Sequence, residues 1–412
     1  MPLGPPVTNA SDTKPLVGRT ILQVIPELET GGAERTTLEV AEALIAAGAK
    51  AIVVSEGGRL VEPLEKLGAT HITLPVASKN PWRIWLNRDA LFDLIREHHV
   101  DIIHVRSRAP AWSALWAARA AKIPFVTTYH GIYSAKTAAK RLYNSAMARG
   151  DVVIANSAYT AQTVVETFGK ASFFDAERVR VIPRGADLER FDPRQVSPAR
   201  RDAAVLAFGG DHEAFRVLLP GRLTAWKGQR ELIAAAGLLQ RKGRVPSMRI
   251  VLLGGAQGRD DYEAELLSMI DAEGLANTVH LHGHWDDMAA AYLWADVAVS
   301  ASTRPEAFGR VAAEASAMGV PVIATAHGGS LETVVDGTTG WLVTPGDPEG
   351  LADALEEACE AGATRRHAMG QAGRDRIRQH FSTKAMTDAT LSVYIGLMSA
   401  GSGETSANMG GR

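Results

Sequence analysis

The sequence is poor in cysteine: Cys359 stands alone among 412 residues. A single thiol excludes an internal disulfide framework and any zinc site built on cysteines, and it fits a reducing compartment. An excess of positive charge is also lacking, since 44 lysines and arginines face 46 aspartates and glutamates. Without a net basic field there is nothing to hold nucleic-acid phosphates unspecifically, so no nucleic acid is expected as a partner. Nowhere do about 18 apolar residues follow one another, the length a membrane-spanning helix needs. Residues Met1 to Gly18 carry Pro2, Pro5, Pro6 and Pro15 but no apolar run of the signal-peptide kind. A flexible leader over 1–18 and a cytoplasmic location, at most at the inner face of a membrane, are expected.

What is present is an ordinary globular composition, 46% hydrophobic and 22% charged, over a length that suggests two domains. Thr20 to Ile25 is a short apolar run, followed by Gly31-Gly32 and a helical pattern from about Glu34 to Ala47. The alternation repeats with strands at Ala51–Ser55, Asp101–Val105, Pro124–Tyr129 and Asp151–Asn156 and helices at Leu60–Leu67 and Ala111–Ala121. After an irregular stretch it restarts with strands at Arg216–Pro220, Arg249–Leu253, Val279–His282, Val297–Ser300 and Pro321–Thr325. Helical segments begin near Gln229, Tyr262, Met288 and Phe308. Strand-helix alternation builds parallel sheets covered by helices. The reading is α/β, two doubly wound domains at 19–195 and 215–381. A linker at 196–214, a helix at 382–400 returning to the first domain, and a flexible tail at 401–412 complete it. Ligand loops of such folds lie at the carboxyl ends of the strands, so a cleft between the halves is the expected active site.

The most informative stretch is Arg304-Pro-Glu-Ala-Phe-Gly-Arg-Val-Ala-Ala-Glu314, which runs from a strand end into a helix. First-turn amides of Phe308, Gly309, Arg310 and Val311 would suit a phosphate. Glu306 in the loop can accept from sugar hydroxyls, and Glu314 on the helix can reach a ribose; the alternative is a pair of surface acids. Gly31 and Gly32 let a backbone approach a donor closely, with the following helix start offering amides to its diphosphate or to the acceptor, or simply make a turn. Arg222 and Lys227 follow a strand and read either as cations for a diphosphate or as a surface basic pair. His130 closes the strand Pro124–Tyr129, where a satisfied structural histidine is the alternative to a ligand contact. His282-Gly283-His284 has neither cysteine nor a third ligand in view, which argues against zinc. Asp260-Asp261 and Asp286-Asp287 read as helix-initiating aspartates.

With Glu306 and Glu314 at E-x7-E spacing after Ala298-Val-Ser-Ala-Ser, the sequence resembles the retaining GT-B glycosyltransferases of family 4. Gly221-Arg222-Leu-Thr-Ala-Trp-Lys227-Gly228, Gly31-Gly32-Ala33-Glu34 and Tyr129-His130-Gly131 match further segments of that family, and the likeness runs from about Ile21 to Thr383. The resemblance implies two Rossmann-like domains facing across a cleft and a nucleoside diphosphate sugar, UDP- or GDP-linked, as donor. Arg222 and Lys227 would hold the diphosphate, Glu306 the sugar and Glu314 the ribose, with the base near Gly254–Ala256 and Gly283. His130 would orient the sugar. Transfer would retain the anomeric configuration, with the leaving phosphate helping to deprotonate the acceptor. No D-x-D cluster of metal-ligand character follows a strand end in the amino-terminal half, so Arg222 and Lys227 are expected to stand in place of a metal ion, and no cofactor is expected. One departure stands out: Arg184 occupies a position where the family more often has asparagine.

The acceptor is sought in the amino-terminal half. Arg106 and Arg108 follow the strand Asp101–Val105 and suit an anionic glycan or lipid-linked acceptor, or else are salt-bridged loop arginines. Lys136, Lys140 and Arg141, with Tyr143 and Met147 nearby and Trp82, Trp85, Trp112 and Trp116 elsewhere in this half, read as an interfacial basic-aromatic surface. Peripheral contact with an anionic membrane surface is the expectation drawn from them; solvated face and core is the alternative. By resemblance, the setting is bacterial lipopolysaccharide, polysaccharide or glycolipid synthesis. A nucleotide-sugar epimerase or hydrolase on the same plan, and a non-catalytic sugar-nucleotide binder, remain as alternatives.

Overall fold

The structure, a computed structural model, describes residues 15–407 apart from 30, 134, 136, 210–212, 244–246 and 257. The described chain divides into two units. The first takes residues 15–155, 163–182 and 387–407, and the second takes 156–162 and 183–386.

In the first unit, strands and helices alternate: β1 (Thr20–Val24), α1 (Gly32–Ala46), β2 (Lys50–Ser55), α2 (Val61–Lys66), β3 (Thr70–Thr73), α3 (Pro81–Glu97), β4 (Ile102–Val105), α4 (Arg108–Ala121), β5 (Phe125–Tyr129), α5 (Ala138–Asn144), β6 (Val152–Ala155), α6 (Ala158–Phe168) and β7 (Val179–Val181). The strands form a parallel sheet in the order β3-β2-β1-β4-β5-β6-β7. Its central strands are mostly apolar because helices cover both faces; every residue of β1, β4 and β5 is buried, Gln23, His104 and Thr128 among them. The order reverses between β1 and β4, which pair with Ile21 opposite Ile102. Loops leaving those two strands therefore diverge and open a crevice at their carboxyl ends.

The second unit repeats the plan with α7 (Pro198–Phe208), β8 (Phe215–Pro220), α8 (Gln229–Lys242), β9 (Met248–Leu253), α9 (Asp260–Ala272), β10 (Val279–His282), α10 (Met288–Trp294), β11 (Val297–Ser300), α11 (Arg310–Ala317), β12 (Val322–Thr325), α12 (Ser330–Thr333), β13 (Gly340–Val343), α13 (Pro348–Glu360), α14 (Gly362–His380) and the start of α15 (Thr383–Ala407). Its parallel sheet runs β10-β9-β8-β11-β12-β13, with the reversal between β8 and β11. Helix starts carry their own signals: Asn80, Ser197 and Asp347 cap α3, α7 and α13, each followed by proline. Asp287 caps α10 through the Ala290 amide at 3.1 Å, and Asp260 and Asp261 lie in the first turn of α9.

Three boundaries differ from the expectation. Leu16, placed in a flexible leader, is fully buried and its N–H donates to the Ala47 carbonyl at 3.2 Å; residues 1–14 lie outside the described residues. The expected linker 196–214 holds α7, whose Ala204 and Phe208 enter the second core. Only that i, i+4 pair is buried on the helix, so charged neighbours hide the stripe from a reading of periodicity. Helix α15 continues to Ala407, past the tail boundary set at 401.

From residue 387 onwards α15 belongs to the first unit, where Tyr394 is fully buried. Its phenol meets His104 Nδ1 at 2.6 Å, while Nε2 of the same ring meets Thr128 Oγ1 at 2.7 Å. Burial, with Arg106 and His130 adding to it, holds His104 well below its ordinary value of 6.5, so the ring is neutral in the fold. The unfolded chain takes up a proton at 6.5 that the folded ring refuses, so this site's contribution is full above 6.5 and falls as pH drops below it. A His104→Gln variant is expected to show a flatter dependence of melting temperature on pH between about 5 and 6.5 than the wild type. Identical slopes would refute this assignment.

Candidate functional site

In the second unit the sequence-predicted donor residues gather at the β8–β11 reversal. The loop after β8 carries Arg222 and Lys227 and ends at Gly228, the residue before α8. The loop after β11 carries Ser302 to Gly309 and leads into α11. The two loops are joined by backbone: the Thr303 N–H donates to the Trp226 carbonyl at 2.8 Å. Gly228 has φ +84°, and a Cβ there would lie 2.0 Å from the Ala301 carbonyl oxygen. Only glycine permits this approach. Gly254, after β9, closes the other side, since a Cβ on it would meet the Gly221 carbonyl at 2.2 Å. Gly283, after β10, is exposed, with open space where a Cβ would stand.

Across the joined loops the Lys227 ammonium donates to Glu306 Oε1 at 2.8 Å, and both side chains are about 15% exposed. The Ser302 hydroxyl donates to the same oxygen. Among the described residues Oε2 has no hydrogen-bond partner. The Glu306 backbone is held as well, its carbonyl accepting from the Gly329 N–H at 2.9 Å. Ser302 is 2% exposed, and its carbonyl accepts from Thr325 Oγ1 at 2.9 Å and from His327 Nε2 at 2.8 Å. Burial lowers the His327 pKa, against the pull of that hydrogen bond and of the Glu306 charge.

Arg222 is exposed, and its guanidinium makes no hydrogen bond or ion pair among the described residues. Its carbonyl accepts from the fully buried Gln229 at 3.1 Å, and Tyr262 donates to that amide at 3.3 Å. Helix α11 begins at Arg310 after Gly309, which has no side chain with which to cap the first-turn donors; Val311 lies in that turn. The Phe308 ring is buried and packs 5.9 Å from Phe381, so only its backbone is placed to serve a ligand. Glu314 is already engaged: Arg310 Nη2 reaches Oε1 at 2.7 Å, and the Tyr292 hydroxyl donates to Oε2 at 3.1 Å. Ser302 was quoted only as part of the segment after β11, and no role was read for Gln229, Tyr292, Thr325 or His327 from the sequence.

The first unit holds the remaining candidates. Gly31 precedes α1 and Gly32 opens it, with Glu34 in the first turn. His130 follows β5 and is half-buried. Arg106 departs from the expectation of an acceptor-facing cation: it is 2% exposed and its Nε donates to Gln23 Oε1 at 2.7 Å. Burial lowers its pKa, with Tyr394 and Glu39 opposing. Arg108 is more accessible, lying 4.2 Å from the Tyr133 ring and donating to Asn144 Oδ1 at 3.3 Å.

The basic-aromatic surface is revised in part. Met147 is core and Trp112 half-buried, Lys136 lies outside the described residues, and Lys140 and Arg141 are exposed. Trp82, Trp85 and Trp116 are exposed at 66%, 43% and 40%, and the first two stack at 5.4 Å. No helix among the described residues is long and apolar enough to cross a membrane.

The model for Glycosyltransferase Family 4 matches residues 30–190, and that for Glycosyl transferases group 1 matches 207–376. The chain is similar to a D-inositol 3-phosphate glycosyltransferase of Xylanimonas cellulosilytica, 32% identical over 62% of each chain. It thus spans less than two thirds of that relative's length. A crystal structure of a glycosyltransferase from Rickettsia africae matches with TM-score 0.84 and 33% identity, over 92% of this chain and 98% of that one. Anabaena Alr3699/HepE, in complex with UDP and glucose, matches with TM-score 0.76 and 25% identity, over 91% and 99%.

Because Lys227 and Glu306 shield each other from water, removing one leaves a buried charge alone. Lys227→Met is expected to lower unfolding free energy by up to about 3–5 kcal/mol, and Lys227→Met/Glu306→Gln by clearly less. Denaturant titration of both variants checks the order; a double variant no more stable than the single one would count against it.

Proposed function

The chain belongs to the family 4 glycosyltransferases, of GT-B fold, and from that premise we propose that it moves a sugar from a nucleoside diphosphate donor to a hydroxyl of an anionic glycan or glycolipid, retaining the anomeric configuration and needing no metal ion. One observation carries the reading: an exposed guanidinium and an ammonium on the loop after β8, and two held carboxylates on the loop after β11 and on α11, come from the two elements that part at one sheet reversal. As the glycosidic bond to the diphosphate breaks, negative charge grows on the leaving oxygens. Fixed cations aimed at that charge are commonly the largest catalytic contribution in a water-poor site. Arg222 and Lys227 are assigned to it, with the Phe308 to Val311 backbone. Glu306 takes the sugar hydroxyls, Glu314 the ribose, and Gly254 and Gly283 flank the base.

In the first unit, His130, Gly31 and Gly32 are assigned to the sugar and acceptor side. The bond from the acceptor oxygen to the anomeric carbon forms on the face the diphosphate leaves, and a departing phosphate oxygen takes the acceptor proton. Glu306 is not the nucleophile in this scheme; its Oε1 is occupied by Lys227 and Ser302. The UDP and glucose in the Anabaena structure support a nucleotide-sugar donor. The Xylanimonas relative is named for D-inositol 3-phosphate, a phosphate-bearing polyol, in keeping with Arg108 as the acceptor's anion contact. Arg106 drops out of that role and serves the fold.

A thermal-shift screen of nucleoside diphosphates and their sugars is expected to show one donor raising the melting point most, and that donor to support transfer unaffected by a chelator. Loss of transfer with EDTA, or a product of inverted anomeric configuration, would refute the mechanism. With that donor, Arg222→Gln and Lys227→Gln are each expected to lower kcat about 10²–10³-fold, whereas Arg108→Gln raises the acceptor KM.

We further propose contact with an anionic membrane surface, as a lipopolysaccharide or glycolipid acceptor at the inner face of the cytoplasmic membrane would require. Exposed Trp82, Trp85 and Trp116, with Lys79 and Arg83 exposed beside them in sequence, support it. Trp82→Ser/Trp85→Ser is expected to reduce co-sedimentation with phosphatidylglycerol vesicles, and equal sedimentation of variant and wild type would end the idea.

A further inference from the structure

We infer that Ser302 is a positioning residue of the transfer site, acting through Glu306 to decide which carboxylate oxygen the donor sugar meets. This rests on the reading of Glu306 as the sugar contact. Oε1 receives two donors, the Lys227 ammonium at 2.8 Å and the Ser302 hydroxyl, while Oε2 has none among the described residues. A carboxylate held by one donor can swing about its terminal torsion, which is broad. Two donors converging on one oxygen from different loops remove that freedom. Oε2 is then presented in a fixed direction, ready to accept from a hydroxyl.

Ser302 can do this because it is itself immobile. It is 2% exposed, and its carbonyl is held from two sides by Thr325 Oγ1 and His327 Nε2. Lys227 has a second assignment, at the diphosphate. As a donor draws the ammonium towards phosphate, Ser302 keeps its hold on Oε1, so the sugar contact survives the arrival of the diphosphate. The hydroxyl thereby separates two tasks that a lone Lys227–Glu306 pair would force into competition.

The test compares binding of UDP, GDP and ADP with binding of their glucose and mannose conjugates. In the wild type and in Ser302→Ala, affinity for the matching free nucleoside diphosphate is expected to agree within about twofold. The sugar-dependent part of the affinity, and kcat/KM for transfer, are expected to fall about 10–100-fold in Ser302→Ala, the range for a hydrogen bond to a charged group. Ser302→Thr, which retains the hydroxyl, should recover most of it. In a Glu306→Ala background Ser302→Ala should add nothing further, because the group it positions is gone. If Ser302→Ala melts early, Ser302→Cys, close in volume but a weak donor, carries the same expectation. Equal weakening of free nucleotide and sugar nucleotide, full additivity with Glu306→Ala, or wild-type behaviour of Ser302→Ala would each overturn the assignment and leave the functional reading standing. Failure of every sugar nucleotide to bind the wild type would overturn both.

Discussion

The ammonium of Lys227 on the carboxylate of Glu306 is the interaction on which the second unit's site depends. Two charges shielded from water are stable there only together, so the loops after β8 and β11 are bound to a single relative position. The backbone agrees with the charges: Thr303 on Trp226, and the bare Cα of Gly228 against Ala301, bring the loops as close as peptide groups can come. The Arg222 guanidinium is exposed while the lysine is already paired. The two cations of this one loop therefore differ in kind, one open and one paired.

The parallel sheet explains why such a cluster can exist. All strands of a unit end on the same side, and at the reversal the two central loops part instead of crossing. In the second unit Arg222 and Lys227 come from one of these loops and Ser302 and Glu306 from the other, which leads into α11. Glu314 lies one helical turn in, where Arg310 and Tyr292 steer it. Burial and the nearby Glu314 push the Tyr292 phenol pKa up, which keeps it a donor.

The equivalent position in the first unit is used differently. Arg106, at the end of β4, is sealed among Gln23, His104 and Tyr394. Burial pushes the Tyr394 phenol up to about 12, with Arg106 opposing. A guanidinium is not deprotonated in proteins, and this buried cation meets the neutral oxygens of Gln23 and Tyr394. Helix α15 supplies Tyr394, which ties the middle of that helix to this unit through polar chemistry as well as packing.

Much of this was legible in the residues alone. Apolar runs such as β1, β5 and β11, buried along their whole length, declare themselves without knowledge of neighbours. Glu306 and Glu314, or Arg222 and Lys227, sit at short fixed separations within one strand-loop-helix unit, so their shared location follows from local order. The half-exposed edge strand β3 and the helix α3 did not read out, because an edge tolerates polar residues and because Trp82, Trp85 and Leu86 put apolar surface on the outer face of α3. Only the tertiary structure decided which cation was paired and which was open, that Arg106 turned inwards, and that Ser302, Gln229 and His327 held the site together. Those outcomes depend on contacts between residues 4 to 83 positions apart, and a distance through space that side-chain packing sets is not written in the spacing of any one motif.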